Sequence, residues 1–416
     1  MKSTTDPGFA NRETLSSRRQ VHVIGAGPVG LLLTALLQSM EGLSVRLYEK
    51  RPTYTRTRMV HLSPYLVADS IESYCADHVD AENIAAVFDV PELEESLAFR
   101  QSIPADLMSL LRGWVQGFCP LNAIEQALSN LIAERGSNGV ERITTSMTKE
   151  EAIAMLRPGD ILIDATGCKS LLRDHLAPGP AEGTRDANTF NIHLEYAIVV
   201  TFVYGQLYLC NEHCKYYKNV ENLHYKFIPA VDRICNDGNI SFVSGIVNIT
   251  AQDYEAMPAT FDGQWLRIHF PQVAHSMDRF IDKIQQETHG EIIGNLEIVR
   301  IPLNLYRARN ATSRKWLAEG PNDHPFTNSP VFVVGDSALG SPYFQSISLG
   351  LECAMYLAGL IRQRDLPLTE IFNRYEHFMY KQWLRVYMRS KMIKHNKDLF
   401  ESMDDPFRLL ELLHIY

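Results

Sequence analysis

VHVIGAGPVGLLLTALLQSMEGLSVRLYEK, residues 21 to 50, is the stretch whose reading decides the fold. Residues 21 to 24 are mostly β-branched and apolar, which suits a strand buried on both faces. They run into Gly25-Ala26-Gly27-Pro28-Val29-Gly30, a GxGxxG turn in which each glycine has its own task. Gly25 permits the tight turn, Gly27 lets backbone approach a pyrophosphate, and Gly30 lets the next helix pack closely on the sheet. Pro28 falls inside the same turn. Residues 31 to 40 supply the helix, whose N-terminus offers unpaired N–H groups and a dipole that favour negative charge. Residues 44 to 48 form a second strand closed by Glu49, about 20 residues past the turn, where a carboxylate accepts the hydroxyls of an adenosine ribose. Strand, turn, helix and acid in register predict a bound dinucleotide.

Working outward, residues 50 to 64, KRPTYTRTRMVHLSP, carry Arg51, Arg56, Arg58 and His61. Cations this close to a pyrophosphate suit charge neutralisation, and Arg51 or Arg56 is expected to make that contact. Arg58 and His61 stay open between the same role and a solvated loop. Two later segments repeat the strand-to-turn pattern. Residues 159 to 167, GDILIDATG, end in Thr166 and Gly167 and are expected to bring backbone amides to the same ligand. Residues 330 to 336, PVFVVGD, end in Gly335 and Asp336 and continue into an apolar helix that Ser346 or Ser348 can cap. Pro342, Tyr343 and Phe344 stiffen and cover that last loop.

Between 188 and 305 the character changes to β-branched and aromatic runs with turns between them, broken by a helical stretch around 265 to 287. A mainly antiparallel sheet inserted into a nucleotide fold is a plausible substrate platform. Its Tyr196, Tyr208, Tyr217, Tyr225 and Phe227 suit either a pocket lining or a packed core. Residues 65 to 111 read as mostly helical, 123 to 136 as an amphipathic helix, and 365 to 416 as aromatic-rich helices packed across the outside or against a second copy. Residues 1 to 19 are a polar lead-in without the apolar segment of a secretory signal.

A chain of 416 residues with 45% hydrophobic and 21% charged content has room for a large core and two or three domains. Its net charge of −9 argues against non-specific nucleic-acid binding. No apolar run approaches the ~18 residues of a membrane span. Seven scattered cysteines suggest reduced thiols and a cytoplasmic protein. Cys210, His213 and Cys214 are the one cluster with metal-like spacing, but no second ligand pair follows, so no metal is expected.

The three strand-turn units together resemble the FAD-dependent group A flavoprotein monooxygenases of the p-hydroxybenzoate hydroxylase fold. Within that group, EKRPTYTRTRMVHLSP is similar to the flavin domain of the MICAL proteins, with Glu49, Lys50, Arg51, Arg56, His61, Leu62 and Pro64 in register. The resemblance implies an α/β protein: a Rossmann-type FAD-binding domain assembled from residues 20 to 187 and 306 to 364, a β-sheet substrate domain at 188 to 305, and C-terminal helices at 365 to 416. It implies FAD contacts at Glu49, Lys50, Arg51, Arg56 and Asp336, with Pro342 near the flavin ring and Phe344 beside it. Three departures stand out: Thr166 replaces the aspartate of the family's DGxxSxxR motif, Asn122 an arginine, and Gln345, Ile347 and Ser348 its usual glycines.

The activity implied is an oxidoreductase that inserts one oxygen atom from O2 into a small organic substrate, aromatic or biosynthetic, through a flavin C4a-hydroperoxide. NADPH or NADH is the implied reductant, and the Thr166 departure points to slow direct reduction unless substrate or a separate flavin reductase takes part. His61, Tyr225 and Tyr343 are the candidates to deprotonate or orient a phenol, with Phe344 as a pocket aromatic. Other readings are MICAL-like oxidation of protein methionine, a flavin halogenase, a flavin reductase of double bonds, and a flavin-binding protein without turnover. The halogenase family's WxWxIP stretch is absent, since Trp114, Trp265, Trp316 and Trp383 stand alone.

Overall fold

The computed structural model describes residues 19–56, 59–76, 84, 86–136, 139–178, 188–205, 225–235, 239–321, 324–341 and 346–402. The protein is mixed α/β, with a parallel sheet, a separate antiparallel sheet and a long C-terminal helix. The parallel sheet has five strands in the order Val331–Val333, Ile161–Asp164, Arg19–Ile24, Leu43–Glu49 and Val140–Thr144. Val21, Val23, Leu162, Ile163, Val331 and Val333 are each 0% exposed, so the apolar runs are indeed covered on both faces. The chain enters at the middle strand, builds to one side, then crosses to the other, which leaves a switch point beside Arg19–Ile24. Ligands of such sheets bind at the carboxyl ends of the strands at that point.

Register decides what meets there. Ile24 lies opposite Tyr48 on one side and Asp164 on the other, and Asp164 lies opposite Val333. Three turns and Glu49 therefore leave the sheet at one level. The fifth strand, Val140–Thr144, was not expected from the sequence: its residues are half-buried or exposed without alternation, and no apolar run marks it. An edge strand needs only one neighbour, so its side chains carry a weak signal.

The antiparallel sheet has six strands, and its central ones are the long Thr189–Gly205 and Glu291–Ala308. One face is covered by the helix Pro271–Thr288, whose Val273, Met277, Phe280, Ile281 and Ile284 recur at helical spacing and pack on Ile198, Val200, Val243 and Val247. Proline at the first turn starts this helix, and His289 at φ 54° ends it. The sheet is stitched to the parallel half by the two-residue strand Leu339–Gly340, which pairs with Arg307 and Tyr306 directly after the third turn.

The C-terminal helix Leu368–Ser402 sets one face against the core and leaves the other to solvent: Phe372, Tyr375, Gln382 and Arg385 are at most 2% exposed, Asn373, His377 and Tyr380 are exposed, and Tyr375 Oη donates to the Val333 carbonyl at 2.8 Å. Its deepest contact is ionic. Glu352, on the helix Ser346–Arg362, accepts from Tyr74 Oη, from Arg100 Nη2 at 2.6 Å, from Gln382 Nε2 at 2.9 Å and from Arg385 Nη1 at 3.0 Å. Burial alone would push Glu352 up, but Arg385 and Arg100 together hold it below the ordinary carboxylate range. No helix among the described residues is long and apolar enough to cross a membrane.

Candidate functional site

At the carboxyl ends of the parallel strands lies a cavity of about 940 Å³, near the upper end of the ~300–1,000 Å³ usual for ligand sites. Gly25, Gly27, Pro28, Glu49, Lys50, Arg51, Arg56, His61, Thr166, Gly167 and Asp336 all line it. Residues far apart in the chain meet because the strand register brings their turns to one edge.

The first turn is built from close approaches. Gly25 takes φ +100°, and a Cβ there would lie 2.5 Å from the Ala165 carbonyl oxygen. At Gly30 a Cβ would lie 1.9 Å from the Gly25 carbonyl oxygen, so any side chain would force turn and helix apart. Gly30 thus shapes the turn from behind and is not itself a lining residue. The N–H groups of Gly27, Val29 and Gly30, at the start of the helix Pro28–Gln38, find no acceptor among the described residues.

Glu49 holds this turn. Its Oε2 accepts from the Ala26 amide at 2.9 Å, and its Oε1 accepts from the Arg51 amide at 2.9 Å and from Arg51 Nε at 3.0 Å. Burial would raise its pKa, but the bonds from Arg51 and Ala26 outweigh that and hold it below the usual carboxylate range. Arg56 makes the other ion pair, donating through Nη2 to Glu125 on the helix Leu121–Glu134. A Cβ on Gly27 would stand 3.4 Å from that Nη2, which places the guanidinium over the glycine turn.

The second turn differs from the expectation of free amides. Asp164, 0% exposed, accepts from the Thr166 amide at 2.8 Å, Thr166 Oγ1 at 2.6 Å, Ser170 Oγ at 2.7 Å and the Leu172 amide at 2.8 Å. The Gly167 amide donates to Ser337 Oγ at 2.9 Å, and Ser337 Oγ in turn donates to Asp164 Oδ1 at 3.2 Å. Both amides are therefore spent inside the protein. What the arrangement does instead is tie the Thr166 turn to the Gly335–Ser337 turn through one buried carboxylate.

In the third turn Gly335, at φ +62°, sits against Val29, while Asp336 faces the cavity. The Asp336 side chain makes no hydrogen bond among the described residues, and burial pushes its pKa up, with Arg56 pulling it partly back. Arg173 braces the turn: its guanidinium donates to the Ser337 and Cys168 carbonyls at 3.3 and 3.2 Å and lies over the Tyr306 ring at 5.1 Å. Tyr306 Oη donates to the Asp336 carbonyl at 2.6 Å, linking turn and antiparallel sheet.

Tyr225 is not part of this cavity; its hydroxyl donates to Asp253 Oδ2 at 2.8 Å, and burial, with that carboxylate adding to it, pushes its pKa up to about 12. Arg58, Pro342, Tyr343, Phe344, Gln345, Tyr208, Tyr217 and the Cys210, His213, Cys214 cluster lie outside the described residues. Sequence reading missed Thr145, Ser146 and Met147, which line the cavity at the end of the unpredicted edge strand, and Lys169, Leu121, Val60 and Val231. The KR…R…HLxP spacing that singled out His61 also flagged the segment containing Val60; the others carry no distinguishing pattern. Among the described residues, no group of three or more His, Cys, Asp or Glu is placed to hold a metal.

No protein-family model matches the chain, and no curated protein matches it. Among solved structures it is similar to the tetracycline destructase Tet(51), at 13% identity over 95% of this chain and 96% of that one, with a TM-score of 0.48. It is similar to CmlS, a flavin-dependent halogenase, at 15% identity over 95% and 68%, with a TM-score of 0.49. It is also similar to CabE, an aromatic hydroxylase from angucycline biosynthesis, at 12% identity over 95% and 75%, with a TM-score of 0.48. These are likenesses only; what the cavity holds is decided by this chain's own residues.

Proposed function

We propose that the cavity holds FAD and that the protein is an FAD-dependent monooxygenase acting on a small organic substrate. The observation that carries this is the donor set at one edge of the parallel sheet: unpartnered amides at the start of the helix Pro28–Gln38, with Arg51 and Arg56 beside them. Amides and guanidinium groups of this kind suit a diphosphate, by dipole and by charge.

The remaining lining fits the rest of a dinucleotide. Glu49 Oε2 accepts one short bond and one long one, from Arg51 Nη2 at 3.4 Å, so it has room for one ribose hydroxyl rather than two. Asp336 offers a half-exposed acceptor to a polyhydroxyl chain, and Lys50 adds positive charge. Val60, Leu121, Leu171, Val231 and Ile347 supply apolar wall that keeps water out. Val231 comes from the antiparallel sheet, so that sheet borders the cavity and is the natural support for substrate. His61 is the one proposed proton acceptor among the described residues that lines the cavity.

Reduced FAD supplies the activation of O2 and the transfer of one oxygen atom; the protein binds, orients and excludes water. Reducing equivalents come from NADPH or NADH, directly or through a separate reductase. The test is an oxygen-consumption screen on FAD-loaded protein with reductant, followed by mass detection of products one oxygen atom heavier. A folded, colourless protein that takes up no FAD overturns the cofactor, and a yellow protein whose reduced form oxidises no substrate overturns the oxygenase.

A further inference from the structure

Each arginine of the cavity already has a carboxylate of its own. Arg51 pairs with Glu49, which lines the cavity, but Arg56 pairs with Glu125, which does not. The Glu125 side chain is 0% exposed, while that of Arg56 is 44% exposed and leans over the Gly27 turn. Glu125 Oε1 accepts from Arg56, and Oε2 is buried without a hydrogen-bond partner. A carboxylate out of water with one oxygen unanswered is costly, and packing alone gives no reason for it.

Resting on the reading that the cavity holds FAD, we propose that Glu125 is a positioning residue for the diphosphate. From behind the wall it aims Arg56 at the Gly27 turn, and its negative charge sets how strongly Arg56 grips the anion. Two consequences oppose each other and so can be told apart. Removing the charge while keeping an acceptor leaves Arg56 in place with its full positive charge for the ligand, and tightens binding. Removing the whole side chain frees Arg56 and loosens binding.

Proton uptake provides a second signature. The charged groups that act on Glu125 are Arg56 and Arg51, which lower its pKa, and Glu49, which raises it; Tyr54 stands close by. Burial prevails, and the carboxyl titrates above its ordinary range. A bound diphosphate disfavours a negative Glu125 further, so FAD affinity rises as pH falls. Glu49 is held below its ordinary range and stays ionised over the same interval, contributing no slope.

The experiment measures FAD and ADP affinity by fluorescence quenching or calorimetry on the full chain between about pH 5.5 and 8, for wild type, Glu125→Gln and Glu125→Ala. Expected at pH 8 is binding about tenfold tighter in Glu125→Gln and about tenfold weaker in Glu125→Ala, with the gap between wild type and Glu125→Gln narrowing as pH falls. The slope assigned to Glu125 is the difference between wild type and Glu125→Gln, since Asp336 also lines the cavity with a raised pKa and acts on both, and ADP shows the same difference because it carries the same diphosphate. Should Glu125→Ala fail to fold, the Glu125→Gln comparison decides alone. Wild type that binds FAD with the affinity and slope of Glu125→Gln throughout overturns the role of Glu125 only. A shift seen with FAD but not ADP overturns its placement at the diphosphate, and a folded wild type that binds neither ligand overturns this role and the FAD reading together.

Discussion

Within the antiparallel layer, residues 189 to 308, the buried polar side chains among the described residues are hydroxyls: Thr189, Ser241, Ser276 and Thr288. The parallel half instead buries Glu49, Arg100, Glu125, Asp160, Asp164, Arg173, Glu352 and Arg385. One layer is held by apolar contact between a helix and a sheet face, which adapts to changes in volume but specifies little. The other is held by charges that must find named partners, because an unpaired one costs several kcal/mol. That expense is concentrated around the turns that line the cavity and the helices behind them. The comparison teaches that the parallel half is built for fixed geometry and the antiparallel layer for support.

The largest expected break in this contrast is Glu352→Ala. It strands Arg100 and Arg385 in the core and is expected to cost about 3–5 kcal/mol, read by urea denaturation. Because Glu352 is held low in the folded state, its contribution is present above the ordinary glutamate pKa and disappears as pH falls through that range toward the lowered value. Stability that stays level on acidification to about pH 3 would refute the assignment. Asp164→Asn comes next, at about 1.5–3 kcal/mol, since it weakens bonds to a buried charge that joins two turns. FAD retention is expected to fall with it, measured by absorbance after gel filtration.

In the antiparallel layer Ile284→Val is expected to cost about 0.5–1.5 kcal/mol, with no dependence on pH and no loss of flavin. Such a loss would mean the two layers are not separable in this way. Smallest is Tyr225→Phe, which removes one half-exposed bond to Asp253 at about 0.5–1.5 kcal/mol and is expected to leave product formation within twofold. A drop beyond tenfold would return Tyr225 to the reaction.

These contrasts also explain what could be read from sequence. The glycine turn, Glu49, Arg51 and Arg56 were legible as neighbours at one cavity because the backbone conformation of such a turn restricts residue types strongly and the strand that follows it ends in a charged cluster. Asp164 was visible as the end of a strand but not as a hub, since its partners Ser170 and Ser337 look like ordinary loop serines. Glu125 and Glu352 sit in helices where an acid is normally solvated, so only packing shows them to be buried. Val140–Thr144 escaped because an edge strand with polar faces has no periodic signature. Tyr225 was singled out by chemistry and displaced by Asp253, a neighbour that no spacing rule announces.

The pairing of Leu162 with Val331 has a consequence for how the molecule is made. On the ribosome, the inner strands emerge long before the edge strand that completes them, and all of the antiparallel sheet but its two-residue strand Leu339–Gly340 is synthesised in between. The newborn chain carries an open, apolar sheet margin through that interval, a condition that favours misassembly and chaperone binding. Arg385 and Gln382 arrive later still, so the Glu352 carboxylate has no counter-charge from that helix until the segment carrying them has left the exit tunnel.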